Sequence, residues 1–186
     1  SRNDIIRSIE EAFSRSSVVI LSNLFGFGKK SVIRRYVKSH NYHTAVEVQG
    51  MHDSLSNFFL NGLHFSNIND AAFQQGSPRA ILQAKFEQLR RLDAHHILVV
   101  SDVDIEDDVD EYLLQQLSTL QCHIVFVTQN AADAYRDHLP VIDVGRMETK
   151  YLLELFFYYY DRSASMDHAP LIPALERFFD DIGGHT

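Results

Sequence analysis

Between Val18 and Ser31 the chain reads Val-Val-Ile-Leu-Ser-Asn-Leu-Phe-Gly-Phe-Gly-Lys-Lys-Ser. A short, unbroken apolar run gives way to a loop with two glycines and two lysines, and then to a segment of helical period. Few architectures accept that order. An apolar run without alternation suits a strand buried on both faces of a parallel sheet. A glycine loop at its end, running into a helix, brings backbone N–H groups and the positive end of a helix to one point. That is the geometry of a phosphate-binding loop.

The rest of the chain repeats the alternation. Asn3 to Phe13 carries Ile5, Ile6, Ile9 and Phe13 on one helical face, and Ser31 to Ser39 carries Val32, Ile33, Tyr36 and Val37. His43 to Val48 reads as a second strand. Asp53 to Leu63 reads as a short helix burying Leu55, Phe58 and Phe59, and the Asn, Ser and Gly of Asn61 to Gly76 read as loop. Ser77-Pro78 starts a helix with a serine cap and a proline in the first turn; Ile81, Leu82, Phe86, Leu89 and Leu92 form its stripe. Strands follow at His95–Val100, Cys122–Val127 and Val141–Val144, separated by helices near Val109–Leu120 and Ala131–His138. Glu148–Tyr160 and Leu171–Ile182 are helical, the latter stopped by Gly183-Gly184. Strands alternating with helices predict an α/β fold with a five-stranded parallel sheet flanked by helices over residues 1–146. Residues 147–186 predict a C-terminal helical lid, or the start of a helical subdomain.

Composition narrows the function. A net charge of -8 gives no general attraction for nucleic acid, so no direct nucleic-acid partner is expected. No apolar run approaches membrane-spanning length and no signal peptide opens the chain, so neither membrane nor export is expected. Cys122, the single cysteine, cannot form an internal disulfide, which points to a reducing, cytoplasmic setting. Both ends read as cut, the expectation for a piece of a larger protein.

The phosphate-loop template is Gly, four residues, then Gly-Lys-Ser/Thr. Counted from the end of the strand, Asn23 takes the first glycine position, Gly28 and Lys29 match, and Lys30 takes the hydroxyl position. Gly26 adds a second glycine, and Ser31 follows one residue late. A shifted register pairs Lys30 with Ser31 at the cost of putting Lys29 in the glycine position. The first register is preferred because the loop starts directly after the strand. A nucleotide-hydrolysing domain also needs an acid at the tip of a strand beside the loop. Ile97-Leu98-Val99-Val100-Ser101-Asp102 supplies the strand and Asp102, with Asp104 nearby. The acids from Glu106 to Glu111 read as a solvated helix start. His95-His96 on a strand point to opposite faces, and His40 and His43 flank a turn; none reads as a metal ligand, and no protein metal site is expected. Ser22 lacks a nucleophile elbow. Leu152 to Tyr160 is apolar nearly all round, either a buried lid helix or a contact face for further domains.

The order of these pieces resembles the STAND class of P-loop NTPases, the NB-ARC and NACHT-type signalling ATPases with bacterial members that carry effector domains. Asn23 to Ser31 resembles its Walker A loop and Ile97 to Asp102 its Walker B strand. Ser1-Arg2-Asn3-Asp4 stands where the class has a Gly-Arg element near the adenine. Ile124 to Gln129 resembles the sensor strand, Val141 to Leu155 the step into the helical lid, and Gly183-Gly184-His185-Thr186 a Gly-Gly-x-Pro element with threonine in place of proline.

The resemblance implies ADP or ATP as ligand. Gly26, Gly28, Lys29, Lys30 and Ser31 would meet the phosphates, Arg2 would lie near the adenine, and Thr128 or Gln129 would sense the distal phosphate. It implies an N-terminal effector and a C-terminal sensor in the same protein, homo-oligomerisation on activation, and a use such as bacterial defence. The departures fall on one component. The family's hydroxyl and first Walker B carboxylate both organise Mg²⁺, and Lys30 and Ser101 stand there instead. An ammonium repels a divalent cation and a serine brings no charge to attract it. The expectation is weak or absent Mg²⁺ binding and weak or absent hydrolysis, with Asp102 the one candidate catalytic acid. Two alternatives remain: a nucleotide-free scaffold for protein interaction, and an active ATPase using Lys30-Ser31 with Asp102.

Overall fold

The computed structural model describes residues 2–23, 28–65, 77–106, 108–146, 148–160 and 171–181. Ser1, Gly26, the later part of the Asn61–Gly76 loop and the Gly183-Gly184-His185-Thr186 element lie outside the described residues. The elements are α1 (Arg2–Phe13), β1 (Val18–Ser22), α2 (Lys29–Ser39), β2 (Thr44–Gln49), α3 (Leu55–Asn57), α4 (Pro78–Leu89), β3 (His96–Ser101), α5 (Glu111–Ser118), β4 (His123–Val127), α6 (Asp133–Arg136), β5 (Val141–Asp143), α7 (Thr149–Tyr160) and α8 (Ile172–Asp181).

The five strands form one sheet in the order β2-β3-β4-β1-β5, and every pairing is parallel. The α/β fold read from the sequence is therefore the one observed. β1, with neighbours on both sides, is buried at all five positions, as a strand covered on both faces must be. β2, at the edge, is largely exposed, with Val46 45% accessible; its apolar alternation carried no sign of that position.

Successive strand residues face opposite layers, and the core divides accordingly. Ile20, Leu98, Val100, Ile124 and Phe126 pack against Phe58, Phe59, Phe86, Leu113 and Leu117. Val19, Leu21, Ile97, Val99, Val125 and Val127 pack against Ile9, Ala12, Val32, Ile33 and Tyr36 of α1 and α2. Caps set the helix starts: Ser54, Ser77 and Asp110 accept from Asn57, Ala80 and Leu113 amides.

Two helices differ from expectation. The Asp53–Leu63 segment is α3 followed by a π-helical turn, Phe58–Gly62. The wider turn leaves consecutive Phe58 and Phe59 both fully buried and lays Gly62 on the Phe58 ring, where a Cβ would come within 2.9 Å. The expected Ala131–His138 helix shortens to α6, because Ala131 is bridged to Ile105 and its amide donates to Ser22 Oγ at 3.1 Å. Pro140 bars continuation at the other end.

After β5 the described elements are two helices, α7 and α8. α7 packs on α8 through Phe156 and Phe179, Leu152 is buried, and Arg146 donates to Asp180 Oδ1 at 2.6 Å. Among the described residues no helix is long and apolar enough to cross a membrane.

Candidate functional site

β1 delivers the chain to the C-terminal edge of the sheet, where ligand crevices of open α/β folds form. α2 starts at Lys29 behind Gly28, whose φ of 75° and ψ of 25° are left-handed. Glycine takes that conformation without strain and offers no side chain to block an approaching anion. Val32 N donates to Gly28 O at 3.0 Å, closing the first helical turn.

Helical geometry then sends the two lysines different ways. Lys29 is 8% exposed, and its ammonium donates back to the Asn23 carbonyl at the loop's start. Burial lowers its pKa; Asp102 opposes that shift and Lys30 adds to it. Lys30 crosses to the neighbouring layer of charge: its Nζ lies 2.8 Å from Asp102 Oδ2. The same oxygen accepts from Gln49 Nε2 at 3.0 Å. Burial works against the Asp102 charge, but the Lys30 and Gln49 hydrogen bonds outweigh it and hold the carboxyl below its ordinary value.

Asp102 is itself unusual in the backbone. Its φ is 60°, and across from it Met51 and His52 have φ of 58° and 59°. Asp102 N donates to Val127 O at 2.9 Å and Asp102 O accepts from His52 N at 2.7 Å. The strand tip is thus tied on one side to β4 and on the other to the turn after β2, although left-handed φ is strained for these residues. Ser101, where a first acid was looked for, is 2% exposed, and its carbonyl accepts from Gly50 N at 2.6 Å.

The structure brings Asn23, Gly28, Lys29, Lys30 and Asp102 together. Ser31 is exposed. Thr128 is buried beside the tip of β1, its amide on Leu21 O and its hydroxyl on Asn130 O at 2.8 Å; Gln129 is exposed. Arg2 stands at Gly28 and Gly145: its Nη1 donates to Gly145 O at 3.2 Å, and burial lowers its pKa. Gln49 escaped the sequence reading. Its signal was available, as the polar residue ending a strand at the same sheet edge. A 270 Å³ pocket lies beside Arg2, lined by the charged Asp4, Asp143, Arg146 and Glu148 as well as by Ile5, Ile142 and Tyr151.

The donor set does not suit a divalent cation. The one carboxylate at the strand tip already holds an ammonium, and the adjacent Ser101 hydroxyl is neutral. Among the described residues no group of three or more His, Cys, Asp or Glu is placed to hold a metal. His43 and His95 stack on each other at 4.7 Å instead. The turn suits an anion better: the Lys29 ammonium, a side-chain-free left-handed glycine and the N-terminus of α2 lie there.

No protein-family model and no curated protein matches the chain. Solved structures do. A STAND protein with a tetratricopeptide repeat sensor from Pyrococcus horikoshii superposes with a TM-score of 0.62 at 15% identity over 100% of this chain and 28% of its own. The Orc1 protein of Aeropyrum pernix, solved in complex with DNA, gives 0.60 at 13% identity over 99% of this chain and 56% of its own. A Walker-type ATPase of Pyrococcus abyssi gives 0.57 at 12% over 97% of this chain and 62% of its own. The chain thus spans less than two thirds of each. At these identities the likeness concerns the fold, and the fold of this chain is that of a P-loop NTPase domain.

Proposed function

We propose that this chain is the nucleotide-binding domain of a STAND-type regulatory switch, and that it holds ADP or ATP without Mg²⁺. The observation that carries the reading is the Lys30–Asp102 ion pair. It fills the place of the cation with an ammonium that belongs to the protein, beside a loop whose other features suit phosphate. Asn23, Gly28, Lys29, Lys30 and, outside the described residues, Gly26 form the phosphate cradle in this reading. The exposure of Ser31 favours the Gly28-Lys29 register over Lys30-Ser31. Thr128 and Gln129 sit at the sheet edge as candidate phosphate sensors. The 270 Å³ pocket beside Arg2 is the space for the base. With its strand-tip acid paired to Lys30, the site lacks a free carboxylate to hold Mg²⁺ or orient an attacking water, so hydrolysis is slow or absent and Asp102 is a binding partner more than a catalyst.

In this reading residues 1–146 are the nucleotide-binding unit and 147–186 the start of a lid. The lid's position depends on the nucleotide, and domains beyond the two ends supply effector and sensor. Homo-oligomerisation, cytoplasmic signal transduction and bacterial defence belong to the same reading. DNA, the ligand in the Orc1 structure, does not come across, because a net charge of -8 offers no electrostatic footprint for it.

One observation favours the nucleotide-free scaffold as a second reading. Lys29 and Lys30 both have partners within the protein, on Asn23 and Asp102. Isothermal titration of ADP and ATP, each with Mg²⁺ and with EDTA, separates the readings. Binding that ignores Mg²⁺ and falls in Lys29→Ala supports the switch. No binding in either condition leaves the scaffold, and Mg²⁺-dependent binding with rapid phosphate release would return the active ATPase.

A further inference from the structure

The guanidinium of Arg2 hydrogen-bonds one distant segment and stands close to a second. Nη1 donates to the Gly145 carbonyl at 3.2 Å. Nη2 lies 3.4 Å from the point where a Cβ on Gly28 would stand. Gly28 is the last residue of the loop, with its left-handed φ of 75°. Gly145 lies where the chain leaves the sheet, between β5 and α7, and a Cβ there would meet nothing within 4 Å. The guanidinium therefore bonds the joint before the helical segment with one arm while its other arm stands beside the last residue of the loop. Arginine alone presents two donor arms in such a fixed geometry; lysine carries the charge on a single point.

We infer that Arg2 is a positioning residue, a clasp that transmits occupancy of the phosphate loop to the helical segment beginning at α7. The inference rests on the reading that the loop binds phosphate; Arg2 then stands between that loop and the pocket proposed for the base, with its Nη2 arm on the loop side. An anion arriving at the N-terminus of α2 attracts the guanidinium standing over Gly28. Because the other arm of the fork holds Gly145, that attraction fixes the joint and, through it, the packing of α7 and α8. A base is not required for the coupling; the charge alone carries it.

The test is hydrogen–deuterium exchange on wild type, Arg2→Ala and Arg2→Lys, each alone and with inorganic pyrophosphate, with urea midpoints measured alongside. Pyrophosphate has no base, so any effect at the joint must travel from the loop. Without ligand, Arg2→Ala is expected to exchange roughly five-fold faster at residues 144–152, the scale of one lost charge-assisted hydrogen bond, while the urea midpoint and the strands are unchanged. In wild type, pyrophosphate slows exchange both at residues 28–32 and at 144–152. In both variants it protects residues 28–32 more weakly and no longer reaches 144–152, and Arg2→Lys fails to rescue. Two results overturn the clasp: equal exchange at 144–152 in ligand-free wild type and Arg2→Ala, or pyrophosphate protection of that segment surviving in both variants. If pyrophosphate protects nothing in wild type, the phosphate-binding reading fails and transmission fails with it. The ligand-free comparison then still decides whether Arg2 holds the joint.

Discussion

Lys30 Nζ stands 2.8 Å from Asp102 Oδ2, so an ammonium carried by α2 neutralises the carboxylate at the tip of β3. The two residues are far apart in the chain, and the β1–α2 loop and the strand order make them neighbours. Replacing Lys30 by threonine removes the ammonium and restores a hydroxyl at that position. We expect Lys30→Thr to acquire Mg²⁺-dependent ADP binding, with affinity rising roughly tenfold on adding Mg²⁺ where wild type changes by less than about twofold. Titration calorimetry with Mg²⁺ and with EDTA reads this directly. The stability lost should stay under about 1 kcal/mol, because the Lys30 side chain is 40% exposed and its pairing is screened.

Gly28→Ala tests the loop. The position has φ of 75°, and the new Cβ would come 3.4 Å from Arg2 Nη2. A left-handed alanine costs about 1 kcal/mol. The substitution should lower the urea midpoint by that amount and weaken ADP binding by more, since the methyl enters the space an anion would use. Unchanged ADP affinity in a folded Gly28→Ala protein would place the ligand elsewhere.

The core prediction concerns Phe59. It is fully buried, stacks on Phe86 at 4.9 Å and meets Phe126 edge-on at 6.1 Å. Phe59→Ala should destabilise by about 3–5 kcal/mol, as large-to-small changes in a packed core do. Chemical denaturation gives the value; a loss below about 1 kcal/mol would mean the π-helical turn does not pack as described.

At the opposite edge of the sheet, His123 stacks on Phe13 at 4.0 Å, and its Nδ1 lies 2.7 Å from the Tyr42 hydroxyl, which in turn lies 3.1 Å from Tyr36 OH. Burial lowers the His123 pKa below its ordinary value of 6.5, and nearby His40 adds to the shift. The unfolded chain therefore binds this proton more readily than the folded one. The stabilisation is fully present above pH 6.5 and is lost as pH falls below it. Unfolding free energies measured from pH 8 down to pH 5 should decline, and His123→Gln should flatten the part of that decline near pH 6. A parallel decline in both proteins would assign it to other groups.

Much of this fold was legible in order along the chain. Continuous apolar runs at Val18–Leu21 and Ile97–Val100 announced strands covered on both faces, and Ser77-Pro78 announced a helix start, because burial and capping are set by near neighbours. The strand–glycine–lysine order likewise fixed where the loop would be. Sequence alone also marked the departures at Lys30 and Ser101. It could not supply the pairing that gives Lys30 its meaning, since the tip of β3, one strand removed from β1, comes within reach of α2 only through the sheet order. The edge position of β2, the Gln49 hydrogen bond to Asp102, the reach of Arg2 to Gly28 and Gly145, and the π-helical turn over two phenylalanines were all decided in three dimensions. Local propensity determines elements over a few residues. A charge pair or a guanidinium fork spanning the chain exists only once packing has brought its ends within hydrogen-bond distance.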